Sequence, residues 1–287
     1  MKPIIFDQRA CQLGEGPLWH PIRKQLFWFD ILEKKLYSKK DQELYQWSFD
    51  RYVSAAGWID HDHLFVASEN NLFQFNLETK KETIIAPLEE NILQNRSNDG
   101  RSDPWGGFWI GTMGKQAQKK SGSIYRYYQG EVKKLYEDIT ISNAICFSPD
   151  KKLAYFCDTR EAIIWQQKLC KSDGFPQGNR EIFLDLTKNG LNPDGSVCDA
   201  EGFFWSAQWG SACLSRYTPK GELDQKIIFP TDHITCPAFG GKQLQTLFAT
   251  SALDGLTKEK KEKQPNAGNT FMINTEIKGQ QEHQVIL

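Results

Sequence analysis

A period of roughly 40 to 50 residues runs through this chain, and a repeat of that length decides the architecture before any single residue is interpreted. Each copy reads strand, turn, strand, turn, strand. The first starts at Glu15, passes Leu26-Phe27-Trp28-Phe29-Asp30 and reaches Lys35-Leu36-Tyr37. The second starts near Ala55 and the third at Asn98, with Gly107-Phe108-Trp109-Ile110 as its second strand. The fourth starts at Asn143, the fifth at Asp194 and the sixth near Cys236. A weaker fourth strand follows, as in Glu131-Val132-Lys133-Lys134-Leu135-Tyr136. Turn-forming residues such as His20-Pro21, Pro149-Asp150 and Gly240-Gly241 separate the first and second strands of the copies.

Four-stranded sheets repeated about an axis are propeller blades, and radial closure leaves only short, protected edges. The expected fold is therefore all-β: a six-bladed β-propeller of four-stranded blades around a central channel, with residues 1–287 as a single domain. Both ends, Pro3-Ile4-Ile5-Phe6 and Gln284-Val285-Ile286-Leu287, have strand composition, so they are expected to share one sheet and close the ring. Two segments read as excursions. The mixed-charge run Lys258 to Lys263 is expected to be a solvated surface loop, and the polar stretch Gly114 to Gly122 part of a lid at the channel mouth.

Composition agrees with pleated surfaces: aromatics are 13% of the chain, with nine Trp and eighteen Phe. The formal net charge of -1 supplies no basic field for nucleic acid and no polybasic membrane patch, which leaves a small or neutral ligand as the expected partner. Seven cysteines without paired C-x-x-C spacing suggest neither a disulfide framework nor a zinc cluster, and most sit in apolar runs as buried thiols. The start lacks the apolar core of a signal peptide, and no apolar run approaches the ~18 residues of a membrane span. A soluble, cytoplasmic protein, monomeric or weakly dimeric, is expected.

In a propeller the first strand of each blade lines the channel, so a polar residue at its start faces the channel mouth. Glu15, Ala55, Asn98, Asn143, Asp194 and Cys236 occupy roughly equivalent positions in the six copies. Taken alone, an Asn or Asp there is a turn former. Together, two carboxylates and two carboxamides form an oxygen-only set of the kind hard divalent cations prefer, and carboxylates clustered without a cation would raise one another's pKa. Such a cation can polarise a carbonyl and acidify water, with an adjacent carboxylate assisting proton removal. Asp194 is the candidate for ligand and general base together. Arg96, two residues before Asn98, is placed to bind ligand oxygens through its planar donors. The five histidines are scattered, and no G-x-S-x-G elbow, phosphate loop, dinucleotide fingerprint or H-E-x-x-H is present.

At these residues the sequence resembles the gluconolactonase/regucalcin (senescence marker protein) family over nearly its whole length. The resemblance rests on Leu13-Gly14-Glu15-Gly16-Pro17-Leu18-Trp19, Asn98-Asp99-Gly100 with Asp103-Pro104 and Gly111-Thr112-Met113, and Ile141-Ser142-Asn143 with Phe147-Ser148-Pro149-Asp150. It continues through Pro193-Asp194-Gly195 with Asp199-Ala200-Glu201-Gly202, and Phe239-Gly240-Gly241. It implies one divalent metal ion held by Glu15, Asn143 and Asp194, with Ca, Zn, Mn, Mg or Fe all compatible with oxygen donors. It also implies hydrolysis of a sugar lactone, an aldonolactone such as glucono-, galactono-, xylono- or arabinonolactone, with Arg96 and Asn98 contacting substrate. Some members place a Glu in the lid that reads the sugar, where this chain offers Gln118, Lys119 and Lys120; Gln118 is the corresponding substrate-binding candidate. Ala144 stands where the family often has Gly, an expected small change at a strand start. The rival reading is a calcium-binding regulatory or scaffold propeller without catalysis, and a phosphotriesterase of similar shape is a third.

Overall fold

The computed structural model describes residues 1–287 and folds the repeat into six four-stranded antiparallel sheets arranged as propeller blades. After β1 (Ile4–Asp7), blade one is β2 (Gly14–His20), β3 (Gln25–Asp30), β4 (Lys35–Lys40) and β5 (Glu43–Ser48). Blade two is β6 (Val53–Trp58), β7 (His63–Ser68), β8 (Asn71–Asn76) and β9 (Glu82–Pro87). Blade three is β10 (Asn95–Ser102), β11 (Phe108–Gly114), β12 (Gly122–Tyr128) and β13 (Glu131–Ile139). Blade four is β14 (Ser142–Phe147), β15 (Leu153–Asp158), β16 (Ile163–Lys168) and β17 (Glu181–Asp185). Blade five is β18 (Pro193–Cys198), β19 (Phe204–Gln208), β20 (Cys213–Tyr217) and β21 (Leu223–Ile228). Blade six has only three strands of its own, β22 (Ile234–Gly240), β23 (Thr246–Ser251) and β24 (Thr270–Asn274), and β1 completes it, pairing Ile4 with Met272 and Ile5 with Phe271.

The six apolar clusters are the seams between consecutive blades. One joins Phe27 and Phe29 of blade one to Leu64, Val66 and Phe73 of blade two, and another joins Trp205 and Leu214 of blade five to Phe239 and Leu247 of blade six. The seam that closes the ring sets Trp28 and Leu26 against Phe248. Second strands carry the bulk of this packing because both of their faces are covered, which is why β3 and β15 read as near-continuous apolar runs. Trp28, Trp109 and Trp205 sit fully buried in the second strands of blades one, three and five. Each inner strand instead leaves one edge free toward the channel, so Pro17, Pro193 and Pro237 are accommodated in β2, β18 and β22.

Two expectations change. The ring is closed by the N-terminal strand alone, while the C-terminal residues run across the floor of the channel: Val285 N donates to Trp58 O and Ile286 N to Gly106 O, on two different blades. Gln280 adds bonds from Nε2 to Phe147 O and Cys198 O, so this strap touches blades two to five. Lys258 to Lys263 forms a short helix, α1 (Lys258–Lys263), with Thr257 as its N-cap, rather than a loop; it is solvated, with no buried residue. No helix is long and apolar enough to cross a membrane. All seven cysteines are free thiols.

Candidate active site

Every inner strand slips register against its neighbour near the channel mouth, at Glu15/Leu18, Val53/Ala55, Ser97/Gly100, Asn143/Cys146, Pro193/Ser196 and Ile234/Pro237. Bulges re-aim side chains and stop pairing, and here they turn four blades' polar residues into one cavity of about 520 Å³. Glu15, Asn98, Asn143 and Asp194 all line it. The equivalence among blades is looser than the repeat suggests. Glu15 and Asn143 precede their slips, whereas Asn98 and Asp194 lie inside theirs. In blade two the extra residue is Ser54, not Ala55, and its hydroxyl is spent on Ser97 Oγ at 2.7 Å.

Blades one and four share a further device. The residue after Glu15 is Gly16 with φ 53°, and the residue after Asn143 is Ala144 with φ 61°, so both slips need a left-handed residue. Ala144 is therefore more than a small change at a strand start: its Cβ sits in a conformation that costs an L-residue about 1–2 kcal/mol. Ala144→Gly should raise stability by about 0.5–1 kcal/mol, once the larger entropy of the unfolded glycine chain is set against the relieved strain. A urea midpoint equal to or below that of the parent protein would contradict a strained Ala144.

Carboxylates at the ends of the second strands fix where these two slips begin. Asp30 accepts from Gln12 N at 2.8 Å and Leu13 N at 3.1 Å, just ahead of Glu15. Asp158 does the same in blade four, accepting from Thr140 N at 2.7 Å and Ile141 N at 3.0 Å, just ahead of Asn143. A chain of side-chain hydrogen bonds then crosses three blades. Arg96 Nη1 donates to Asn98 Oδ1 at 2.7 Å, Asn98 Nδ2 to Asn143 Oδ1 at 3.0 Å, and Asn143 Nδ2 to Thr159 Oγ1 at 2.8 Å. Thr159 Oγ1 passes its own proton to Pro193 O at 2.7 Å, next to Asp194. Each amide orientation is thereby fixed, with Asn143 Oδ1 turned to the acceptor side.

The cup is dense in negative charge. Burial, then the neighbouring Asp99 carboxylate, pushes Glu15 up to about 8. Burial, with the charges of Glu15 and Asp99, pushes Asp194 well above the usual carboxylate range. Asp99, which the sequence placed in a motif without a role, is itself raised to about 6 by burial, although it accepts from Ile145 N at 2.7 Å. Burial also lowers Arg96 to about 10, against the pull of Glu15. No three His, Cys, Asp or Glu side chains converge closely enough to hold a metal by themselves, so a cation in this cup would need an amide oxygen beside two carboxylates. Glu15, Asp194 and Asn143 Oδ1 are that set: hard oxygen donors whose crowded charges a divalent cation would neutralise.

The other two candidates lie off the cavity wall. Arg96 is buried behind Asn98, holding its carboxamide and Ser97 O, and is not among the lining residues. Gln118 folds back over its own turn, where Oε1 accepts from Gln116 N at 3.2 Å, and the mouth is lined there by Met113, Lys115, Gln116 and Ala117 instead. The sequence reading missed Thr159, Arg160, Trp209 and Asp254 on the remaining wall. Trp209 stacks on His233 with ring centroids 4.0 Å apart. All follow the second strand of a blade, so aligning the copies on that turn rather than on the first strand would have found them.

The comparison with known proteins covers the same residues. The family described as SMP-30/Gluconolactonase/LRE-like region matches residues 13–253. A Rhizobium meliloti protein described as a candidate sugar lactone lactonase is 37% identical over 96% of this chain and 94% of its own. A 6-deoxy-6-sulfogluconolactonase of Pseudomonas putida is 29% identical over 93% of this chain and 92% of its own. Among solved structures, a calcium-binding protein, regucalcin from Agrobacterium tumefaciens, superposes with a TM-score of 0.97 at 38% identity, covering 99% of this chain and 97% of the other. The matched span contains every blade's inner strand together with Glu15, Asn98, Asn143 and Asp194, and on that ground the chain belongs to the SMP-30/gluconolactonase/LRE-like family.

Proposed function

We propose that the protein hydrolyses a sugar lactone, an aldonolactone of the glucono-, galactono-, xylono- or arabinono- type, to the aldonic acid, using a divalent cation held by Glu15, Asn143 and Asp194. The observation that carries this reading is the pair of buried carboxyls, Glu15 and Asp194, facing one enterable cavity with an amide oxygen beside them and no basic side chain bonded to either. When bound, the cation supplies Lewis acidity toward a carbonyl oxygen and toward water. Asp194 takes the proton of the attacking water on its carboxylate, and general-base assistance of that kind is worth about 10²–10⁴-fold. Asn98 fixes Asn143 from one side and Thr159 from the other, so the donor set is held before substrate arrives. Arg96 orients Asn98 and sets a positive field behind it, and the hydroxyls of the sugar meet Asn98, Gln116 and Lys115 at the wall. The segment carrying Gln118 would reach substrate only by reorganising its turn.

A regulatory calcium propeller without catalysis is the second reading, favoured by the likeness to a calcium-binding regucalcin. Acid release from a panel of aldonolactones at neutral pH separates the two. Turnover should appear with added Ca²⁺, Mn²⁺, Zn²⁺ or Mg²⁺ and fall to the uncatalysed rate with a chelator. Tight cation binding by calorimetry with no lactone turned over under any metal would favour the regulatory reading instead.

A further inference from the structure

The cup accounts for the lactone end of a substrate, while the rim carries a cation that the hydrolytic reading leaves unused. Eight of the nine arginines are engaged by a carboxylate, a carboxamide or an aromatic face. Arg160 alone has no side-chain partner, and it lines the cavity. The residue is exposed, yet its backbone is fixed: Arg160 N donates to Asp158 Oδ1 at 3.1 Å, the carboxylate that also anchors Thr140 and Ile141. Its neighbour Thr159 is the link between Asn143 and Pro193. A guanidinium is thus mounted one residue from the network that sets the cup.

The rest of the rim does not neutralise it. Lys115, the other cation on the wall, is taken up by Glu69 and by Leu93 O at 2.8 Å. Asp254, contributed by the segment after β23, also lines the cavity but makes no ion pair with Arg160. An unpaired guanidinium in a cavity gains most from an oxyanion, whose geometry its planar fork matches, and a neutral hydroxyl recovers only part of that.

We propose that Arg160 determines specificity by binding an anionic substituent at the end of the sugar remote from the lactone carbonyl, so that lactones carrying a carboxylate, sulfonate or phosphate there are preferred over neutral ones. This inference rests on the lactonase reading above. The matched pair D-glucono-1,4-lactone and D-glucaro-1,4-lactone tests it, because the two share a ring and differ in whether the terminal carbon is a hydroxymethyl or a carboxylate. The protein should favour the glucaro compound. Arg160→Ala should lower kcat/KM for that compound by roughly ten- to a hundredfold, the range of a charged hydrogen bond, mostly through KM, and by much less for the neutral one. Arg160→Lys should restore part of the preference, and raising ionic strength should shrink it, because an exposed ion pair is screened. Turnover of both lactones with equal losses, or none, in Arg160→Ala overturns this inference and leaves the lactonase reading standing. Absence of turnover on every lactone overturns both.

Discussion

Asp194→Asn should bring lactone turnover down by about 10²–10⁴-fold, the share that a general base contributes, while cation affinity falls more mildly. The two effects separate because the substitution keeps an oxygen donor of nearly the same shape for the cation, whereas the basic carboxylate that takes the proton is lost together with its charge. Asp194 lies within the slip between Pro193 and Ser196, and its side chain is wholly buried against Glu15, so an asparagine fits without moving the strand. Losing a carboxylate also lessens the crowding of charge that raises Glu15, which protects the fold and the remaining donors. The measurement is paired: kcat with a saturating cation, and the cation Kd by calorimetry. If kcat recovers to the parent value at saturating cation, Asp194 is a ligand alone and the base lies elsewhere. Glu15→Gln is the control, with affinity expected to fall at least as far and kcat at saturation to be less affected.

The blade repeat was legible because it is written in local chemistry. Second strands such as Gln25–Asp30 and Leu153–Asp158 are apolar on both faces, and turn residues punctuate them at regular intervals. Glu15, Asn143 and Asp194 were legible because each is the second residue of an inner strand, and Asn98 because it stands in the first half of one. Their one-residue offset was not, since a bulge inserts a residue that no count of period two records. Asp30 and Asp158 stand at the same place in blades one and four, yet each looks like an ordinary strand end until its backbone partners are known. The run from Lys258 to Lys263 has no apolar face, so it gave no helical period; Thr257 at the N-cap and the Glu259–Lys263 pair fix its turn and a half. Gln118 shows the limit from another side. Ala117 and Lys120 are left-handed, with φ of 53° and 58°, and they fold the carboxamide back over its own turn, which composition alone does not specify.

Residues at the C-terminus had strand composition and no local sign of where they would go, and their strongest commitment is electrostatic. Glu282→Leu should cost about 3–5 kcal/mol of stability, because it strands the Arg101 guanidinium in the channel floor without its carboxylate. Arg101 and Glu282 are both buried, and Arg101 has only weak alternatives in Ser196 O at 3.3 Å and Pro237 O at 3.4 Å. Burial raises the Glu282 carboxyl and Arg101 offsets this only in part, whereas the same pairing drives the guanidinium above its ordinary value, so the cation is the member that will not neutralise. Deleting the acid therefore leaves a charge rather than a void. The double variant Arg101→Met/Glu282→Leu removes both charges and should recover most of the loss, since a buried pair roughly breaks even against apolar residues of similar size. Urea unfolding of the two singles and the double gives the coupling directly. A Glu282→Leu loss below about 1 kcal/mol would mean that water reaches Arg101, and that the strap is held by Val285 and the Trp58 Nε1 bond to Glu282 O instead.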